Sequence, residues 1–311
     1  MKAILLNEPG AIDNLKLTEI DTPQIGADEV LVQVKAISIN PVDVKSREGK
    51  GVYGRIKDQS PLILGWDISG IVTESNSADF KAGDEVFGMV NFPGHGKAYA
   101  EYLAAPASHL AIKPASISHE EAAAATLAAL TALQALEDHA KVKAGQKVLV
   151  HAAAGGVGHY AVQLAKNLGA YVVGTSSAKN KDFVLSLGAD EHIDYHGYDW
   201  KNSPYEFDFI LDTIGGNNID LSLEVAKAGG TIISIPSGLN ESVTEKAKAK
   251  GVEGYFILVK SDGEGMKKLS LLLENGTIKS HVSDTFPFEE IGAAHTQVES
   301  GRTVGKVVVV L

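Results

Sequence analysis

Apolar and polar positions alternate early in the chain: Val30, Val32 and Val34 fall on one side of a strand, Leu31, Gln33 and Lys35 on the other. From Met1 to about Pro114 this period-two pattern recurs in short runs broken by Gly and Pro. Gly83-Asp84, for example, makes a turn before Glu85-Val86-Phe87-Gly88. Such punctuation predicts a compact β-rich domain. At Ser118 the period changes. Ser118-His119-Glu120-Glu121 is a capping box, and the alanine-rich run behind it predicts a helix to about His139. Strand patterns near 147–150, 171–175, 207–212 and 230–235 then alternate with helical ones, which predicts a parallel sheet covered by helices on both faces. Met266 to Glu274 and Phe288 to Glu299 predict helices ending at Asn275-Gly276 and Ser300-Gly301. Lys306 to Leu311 predicts a last strand that returns to the first domain. The expected class is α/β, with residues 1–117 in the first domain, 118–259 in a second, and 260–311 back in the first.

The most informative local pattern surrounds three glycines. Lys147-Val148-Leu149-Val150 suits a buried parallel strand. From Val157 onward, Val157, Ala161, Leu164, Ala165 and Leu168 mark one helix face, and Gly169 sits where a left-handed residue would end that helix. Tyr171-Val172-Val173-Gly174 reads as the next strand. Between strand and helix, Ala153-x-Gly155-x-x-Gly158, with Gly156 and Val157 inside it, matches a dinucleotide turn except for alanine at its first position. Glycines also close tight turns that bind nothing. Set in a complete strand–turn–helix–strand unit, these point to a nucleotide phosphate on helix amides. A site for NAD usually carries an acid about 20 residues after the glycines. Here Thr175, Ser176, Ser177, Ala178, Lys179, Asn180 and Lys181 fill that stretch, and the first acid is Asp182. Hydroxyls and lysines suit the 2′-phosphate of NADPH; a polar surface loop that happens to carry two lysines is the plainer alternative.

Composition narrows the classes. With 311 residues, 44% hydrophobic and 22% charged, the chain is an ordinary globular protein with room for two domains. A net charge of −11 and a pI near 5.4 argue against nucleic acid and anionic membranes as partners. No cysteine is present, so disulfides, thiolate metal ligands and a cysteine nucleophile are excluded. MKAILLNEPG is too short and too soon interrupted for a signal peptide, and no run approaches a membrane span, so a cytoplasmic enzyme is expected. Of ten histidines, His192 and His196 are four apart, but on a strand that spacing is about 13 Å, too far to chelate one ion.

Several stretches together resemble the medium-chain dehydrogenase/reductase superfamily, and within it the zinc-free quinone oxidoreductase branch. They are Asn40-Pro41-x-Asp43, Gly65-Trp66-Asp67-Ile68-Ser69-Gly70, Gly83-Asp84-x-Val86-Phe87-Gly88, Ala98-x-Ala100-Glu101-Tyr102, Ala152 to Gly158, Gly188-Ala189-Asp190 and Gly301 to Lys306. The resemblance implies a GroES-like domain enclosing a Rossmann domain, and a homodimer. Zinc enzymes of the superfamily hold their metal at positions matching Asn40, Trp66 and Leu127 here, none a usual zinc ligand, so no metal site is expected. Without a Lewis acid, the acceptor must take hydride unaided, as quinones and carbonyl-activated alkenes do.

The resemblance also assigns residues. It implies Asn40 near the nicotinamide with Asp43 behind it, although Asn40 reads equally as a turn former before Pro41. Tyr53 is a candidate hydrogen-bond donor to a substrate carbonyl, or a packing residue. Trp66 lines a quinone pocket or is buried for structure, and Asp67 satisfies local backbone donors. Thr131 would contact the nicotinamide beside Ala128, Ala129 and Ala132, or simply belong to an alanine-rich packing helix. Tyr195 would lie near the adenosine phosphate, Ser237 and Gly238 at the carboxyl edge of the sheet, and Phe256 and Leu258 across the nicotinamide. Lys306 would close the cofactor cleft. A strand-core role competes for Phe256 and Leu258. The implied reaction is hydride transfer from NADPH to a quinone, or to a 2-alkenal or enone. A cofactor-binding sensor or crystallin-like protein with little turnover is the reading of another class.

Overall fold

The computed structural model describes all 311 residues, Met1–Leu311. The chain forms two compact units, one of Met1–Leu130 with Val259–Leu311 and one of Thr131–Leu258.

In the first unit the strands are β1 (Lys2–Leu6), β2 (Leu15–Glu19), β3 (Glu29–Ile39), β4 (Asp67–Ser75), β5 (Glu85–Met89), β6 (Tyr102–Pro106) and β7 (Leu110–Ile112). The last segment of chain adds β14 (Val282–Pro287) and β15 (Lys306–Val310). β1 and β2 form a hairpin pair; the others form a seven-stranded sheet in the order β14-β15-β3-β4-β5-β7, with β6 also on β3. The expected return of the last strand is observed: β15 runs antiparallel to β3, with Val308 opposite Ser38. Val30, Val32 and Val34 are buried while Gln33 and Lys35 are half-buried, as the alternation requires, but Leu31 on the second side is buried as well. From Ala36 onward β3 is buried on every position, because a helix covers its second face. That helix, His119–Ala124, is the one behind the capping box. Ser118 Oγ accepts from the Glu121 amide at 3.2 Å, and Glu121 accepts from the Ser118 amide at 2.9 Å. It packs on β3, β4 and β15, with Ala123 and Ala124 against Ala36 and Val308. The sequence pattern had assigned it to the second domain.

The alanine-rich helix is also not continuous. His119–Ala124 ends, Leu127–Leu133 begins, and a π-helical stretch, Gln134–His139, completes it. The break has a local cause. The Ala123 carbonyl, which the Leu127 amide would reach in an unbroken helix, is taken by the Thr126 hydroxyl at 2.9 Å. The Leu127 amide donates instead to Asp67 Oδ1 at 3.1 Å.

The second unit holds β8 (Lys147–Val150), β9 (Tyr171–Ser176), β10 (Glu191–Asp194), β11 (Phe207–Asp212), β12 (Ala226–Ser234) and β13 (Glu253–Tyr255). All pair in parallel, in the order β10-β9-β8-β11-β12-β13, the doubly wound order of a Rossmann sheet. Its core joins Leu149, Val173, Phe207, Ile210, Ile219 and Ile232. Such a sheet directs the loops after its strands to one edge, where a crevice opens between β8 and β11.

Candidate active site

In the second unit the glycine turn leaves β8 at Val150 and enters the helix Gly158–Asn167. The chain doubles back tightly. Ala152 has φ +46°, and the Gly155 amide bonds its carbonyl at 2.8 Å. A Cβ on Gly158 would lie 2.2 Å from that same carbonyl oxygen and 2.8 Å from Ala153 Cα, so only glycine fits where the helix starts. The Ala153 amide bonds the Thr175 carbonyl at 2.8 Å, pinning the turn to β9. Gly155, Gly156 and Val157 are partly exposed at a helix N-terminus, an arrangement suited to a phosphate.

The predicted 2′-phosphate loop follows β9. Thr175 points inward: its hydroxyl lies 3.1 Å from His151 Nδ1, whose other nitrogen is 3.0 Å from Ser222 Oγ. It therefore supports the turn and presents no donor at the edge. Burial lowers the His151 pKa to about 4, so the ring is neutral. Ser176 is buried, its Oγ 2.8 Å from His192 Nε2. Ser177 is half-buried, and Lys179 is exposed on a single 3-10 turn, Ala178–Asn180. Tyr195, half exposed and stacked on His196, follows β10, and its amide bonds the Ser176 carbonyl at 3.3 Å. The carboxyl ends of β9 and β10 thus gather Ser176, Ser177 and Tyr195. They also bring an acid that reading along the chain missed. Asp194 pairs with Ser176 across the two strands, and its Oδ1 is held by His196 Nδ1 at 2.8 Å.

Farther along the edge, Ser237 is half-buried and Gly238 exposed with φ +81°, in the loop after β12. Phe256 is 39% exposed and Leu258 half-buried, beyond the end of β13 at Tyr255. Phe256 is therefore not strand core. Thr131 is buried on the helix Leu127–Leu133. Asp212 was missed by the sequence reading. Ending β11, it accepts from the amides of Ile214 and Gly215, from Asn218 Nδ2 at 2.8 Å and from Ser234 Oγ at 2.8 Å, which fixes the loop after the strand.

In the first unit Asn40 caps the helix Pro41–Arg47, its amide donating to Asp43 Oδ2 at 2.7 Å. Its turn-forming role before Pro41 is thus observed, and its side chain is also the hub of a buried cluster. Oδ1 accepts from Lys306 Nζ, and Nδ2 donates to Asp67 Oδ2 at 2.7 Å. Lys306 also donates to the Ile39 carbonyl at 3.3 Å and is 3% exposed. Asp67 thus serves Asn40 as well as the Leu127 backbone. Burial raises the pKa of both acids, and Asp43, with Asp67 beside it, reaches about 7. Burial lowers the Lys306 pKa against the pull of the two carboxylates. Behind Asp43 lies Tyr99, fully buried, its hydroxyl 2.9 Å from His295 Nε2. Trp66 is fully buried, donating to the Gly94 carbonyl at 2.7 Å, so it is structural and lines no pocket. Tyr53 is half-buried at the start of a separate short helix, Tyr53–Ile56.

Family models match two stretches: residues 26–115 an alcohol dehydrogenase GroES-like domain, and residues 187–309 a zinc-binding dehydrogenase. The chain is 35% identical to the NADPH-dependent alkenal/one oxidoreductase of Arabidopsis thaliana chloroplasts, over 99% of this chain and 79% of that protein. It superposes on the quinone oxidoreductase of Coxiella burnetii with a TM-score of 0.94 at 37% identity, covering 100% of this chain and 99% of the other. On the Escherichia coli quinone oxidoreductase complexed with NADPH the TM-score is 0.87 at 27% identity, with both chains covered fully. One of these family descriptions names zinc, and the residues here do not fit it. No three His, Cys, Asp or Glu side chains converge, and Asn40, Trp66 and Leu127 carry an amide, an indole and an alkyl group. A GroES-like unit, a six-stranded Rossmann sheet with its glycine turn, and end-to-end similarity agree: the chain belongs to the medium-chain dehydrogenase/reductase superfamily, in its quinone oxidoreductase branch, and is an NAD(P)H-dependent oxidoreductase.

Proposed function

We propose that this chain transfers hydride from NADPH to quinones without a metal ion. The observation that carries the reading is the Lys306–Asn40–Asp67 cluster. Asn40 stands where zinc enzymes of the superfamily place a ligand, and here a buried ammonium is bonded to it. A divalent cation beside that ammonium would meet direct repulsion at short range. The acceptor must then spread the incoming charge itself, as a quinone does.

The chain's own residues supply binding and orientation. The amides of Gly155, Gly156 and Val157 suit the pyrophosphate. Ser177, Lys179 and Tyr195, with Ser176, offer hydroxyls and a cation to the 2′-phosphate. Thr131, Ser237, Gly238, Phe256 and Leu258 complete the proposed cofactor contacts. When bound, the nicotinamide supplies the hydride. Asn40, engaged at both ends of its amide, acts with Asp43 and Lys306 to position the site. The reduced oxygen takes its proton from solvent or from Tyr53.

A second reading is favoured by the similarity to a protein named for alkenals and enones. NADPH oxidation followed with 9,10-phenanthrenequinone, 1,4-benzoquinone and 2-hexenal separates the two. Faster turnover of the quinones supports the first reading, and faster turnover of 2-hexenal the second. Tight NADPH binding with no turnover of any acceptor contradicts both. The reading includes a homodimer, from family resemblance: light scattering at twice the 32.8 kDa chain mass supports it, and the single-chain mass contradicts it.

A further inference from the structure

We propose that His192 is a specificity-determining residue for the phosphorylated cofactor, acting through the hydroxyl of Ser176. The inference deepens the NADPH reading above and rests on it. In the parallel pairing of β9 and β10, His192 lies opposite Gly174 and Asp194 opposite Ser176. All four residues therefore share one face of the sheet. It is the face crossed by the glycine turn, since a Cβ on Gly174 would lie 2.8 Å from Ala153 Cβ. His192 thus stands two residues before the Ser176 end of the strand pair, and its ring reaches Ser176 Oγ, 2.8 Å away, where the predicted phosphate loop begins.

A serine hydroxyl has one proton to give. Ser176 Oγ lies 2.8 Å from His192 Nε2 and 3.2 Å from the Ser177 carbonyl oxygen. If Nε2 carries the ring proton, it donates to Oγ, and the hydroxyl proton goes to Ser177, a long bond that a phosphate oxygen can replace. If Nε2 is bare, the hydroxyl proton is spent on the ring. The imidazole tautomer therefore decides whether Ser176 can donate to an anion. An anion at the loop favours the donating tautomer and, beyond it, the imidazolium. Around the ring, Asp194 on the same strand favours the cation and Lys181, at the start of the helix Lys181–Ser186 that joins β9 to β10, opposes it, while His196 engages Asp194 Oδ1. Burial leads these influences and holds the ring toward its neutral form. Ser176 is only 5% exposed, so without the imidazole its hydroxyl rests on Ser177 alone.

Titration of the full chain with NADPH and NADH, read by nicotinamide fluorescence, tests this in the wild type, His192→Ala and His192→Gln. Glutamine restores an amide donor near the imidazole Nε2. The expected result is a loss of about tenfold in NADPH affinity for His192→Ala, with NADH changed by less than about twofold and the preference largely restored by His192→Gln. An unchanged NADPH-to-NADH ratio in His192→Ala overturns the proposal. So does an equal loss for both cofactors, which would mark a purely structural role. A wild type that fails to prefer NADPH overturns the underlying loop reading instead, a result visible before any variant is made.

Discussion

Lys179 is the residue on which cofactor choice is proposed to turn most directly, because it is the exposed cation on the loop that follows β9. Losing one charged contact to a phosphate costs about 1.5–3 kcal/mol, or roughly ten- to a hundredfold in affinity. Lys179→Ala is therefore expected to raise the KM for NADPH by about that factor, leaving NADH and the turnover at saturation nearly unchanged. Equal losses for both cofactors would place the lysine on the shared pyrophosphate or on folding. Residue-level chemistry was legible where it is local. The glycines, the hydroxyl-lysine run and the Asn40 cap all lie within a few residues of the features that define them. Asp194 was not legible, because strand register alone sets it opposite Ser176. Nor was the bond between Asn40 and Lys306, which are 266 residues apart.

Among the elements, periodicity located four of the six parallel strands, β8, β9, β11 and β12, and the return of β15, since these depend on burial of regular faces. It could not place the interruption in the alanine-rich helix. Alanines fit an unbroken helix equally well; the Thr126 hydroxyl that takes the Ala123 carbonyl is local, but the Asp67 carboxylate that receives the freed Leu127 amide comes from another strand. The glycine turn is the element whose geometry was both legible and strictly required. Gly158→Ala would press a methyl group into the Ala152 carbonyl and force the turn to open. We predict a stability loss of about 1–3 kcal/mol together with weakened binding of NADPH and NADH alike. Thermal melting and fluorescence titration check this, and a variant that binds both cofactors normally would show that the turn does not carry the phosphates.

At the scale of the whole molecule, buried ionisable groups set how stability responds to pH. His95, His151 and His295 are held neutral chiefly by burial, their pKa values lowered from 6.5 to about 4, about 4 and about 3. Because the folded values lie below the unfolded one, stability is lost as pH falls below 6.5 toward them. Asp43 acts in the opposite sense. Its pKa is raised from 3.8 to about 7, so its ionisation opposes folding increasingly as pH rises between those values. The thermal midpoint should therefore drop as pH falls from about 6.5 to 4.5. Asp43→Asn should gain on the wild type as pH rises from about 5 to 8, because the amide does not ionise. A constant difference between the two proteins across that range would contradict the buried-acid account.

The central claim, metal-free hydride transfer from NADPH to a quinone, meets its most direct test in one measurement: kcat/KM with 9,10-phenanthrenequinone for NADPH and for NADH, on protein dialysed against EDTA and assayed in its presence. The account predicts full activity under chelation and a preference for NADPH of about tenfold or more, the scale of one charged contact. Turnover that appears only when zinc is restored, or a preference for NADH, would contradict it.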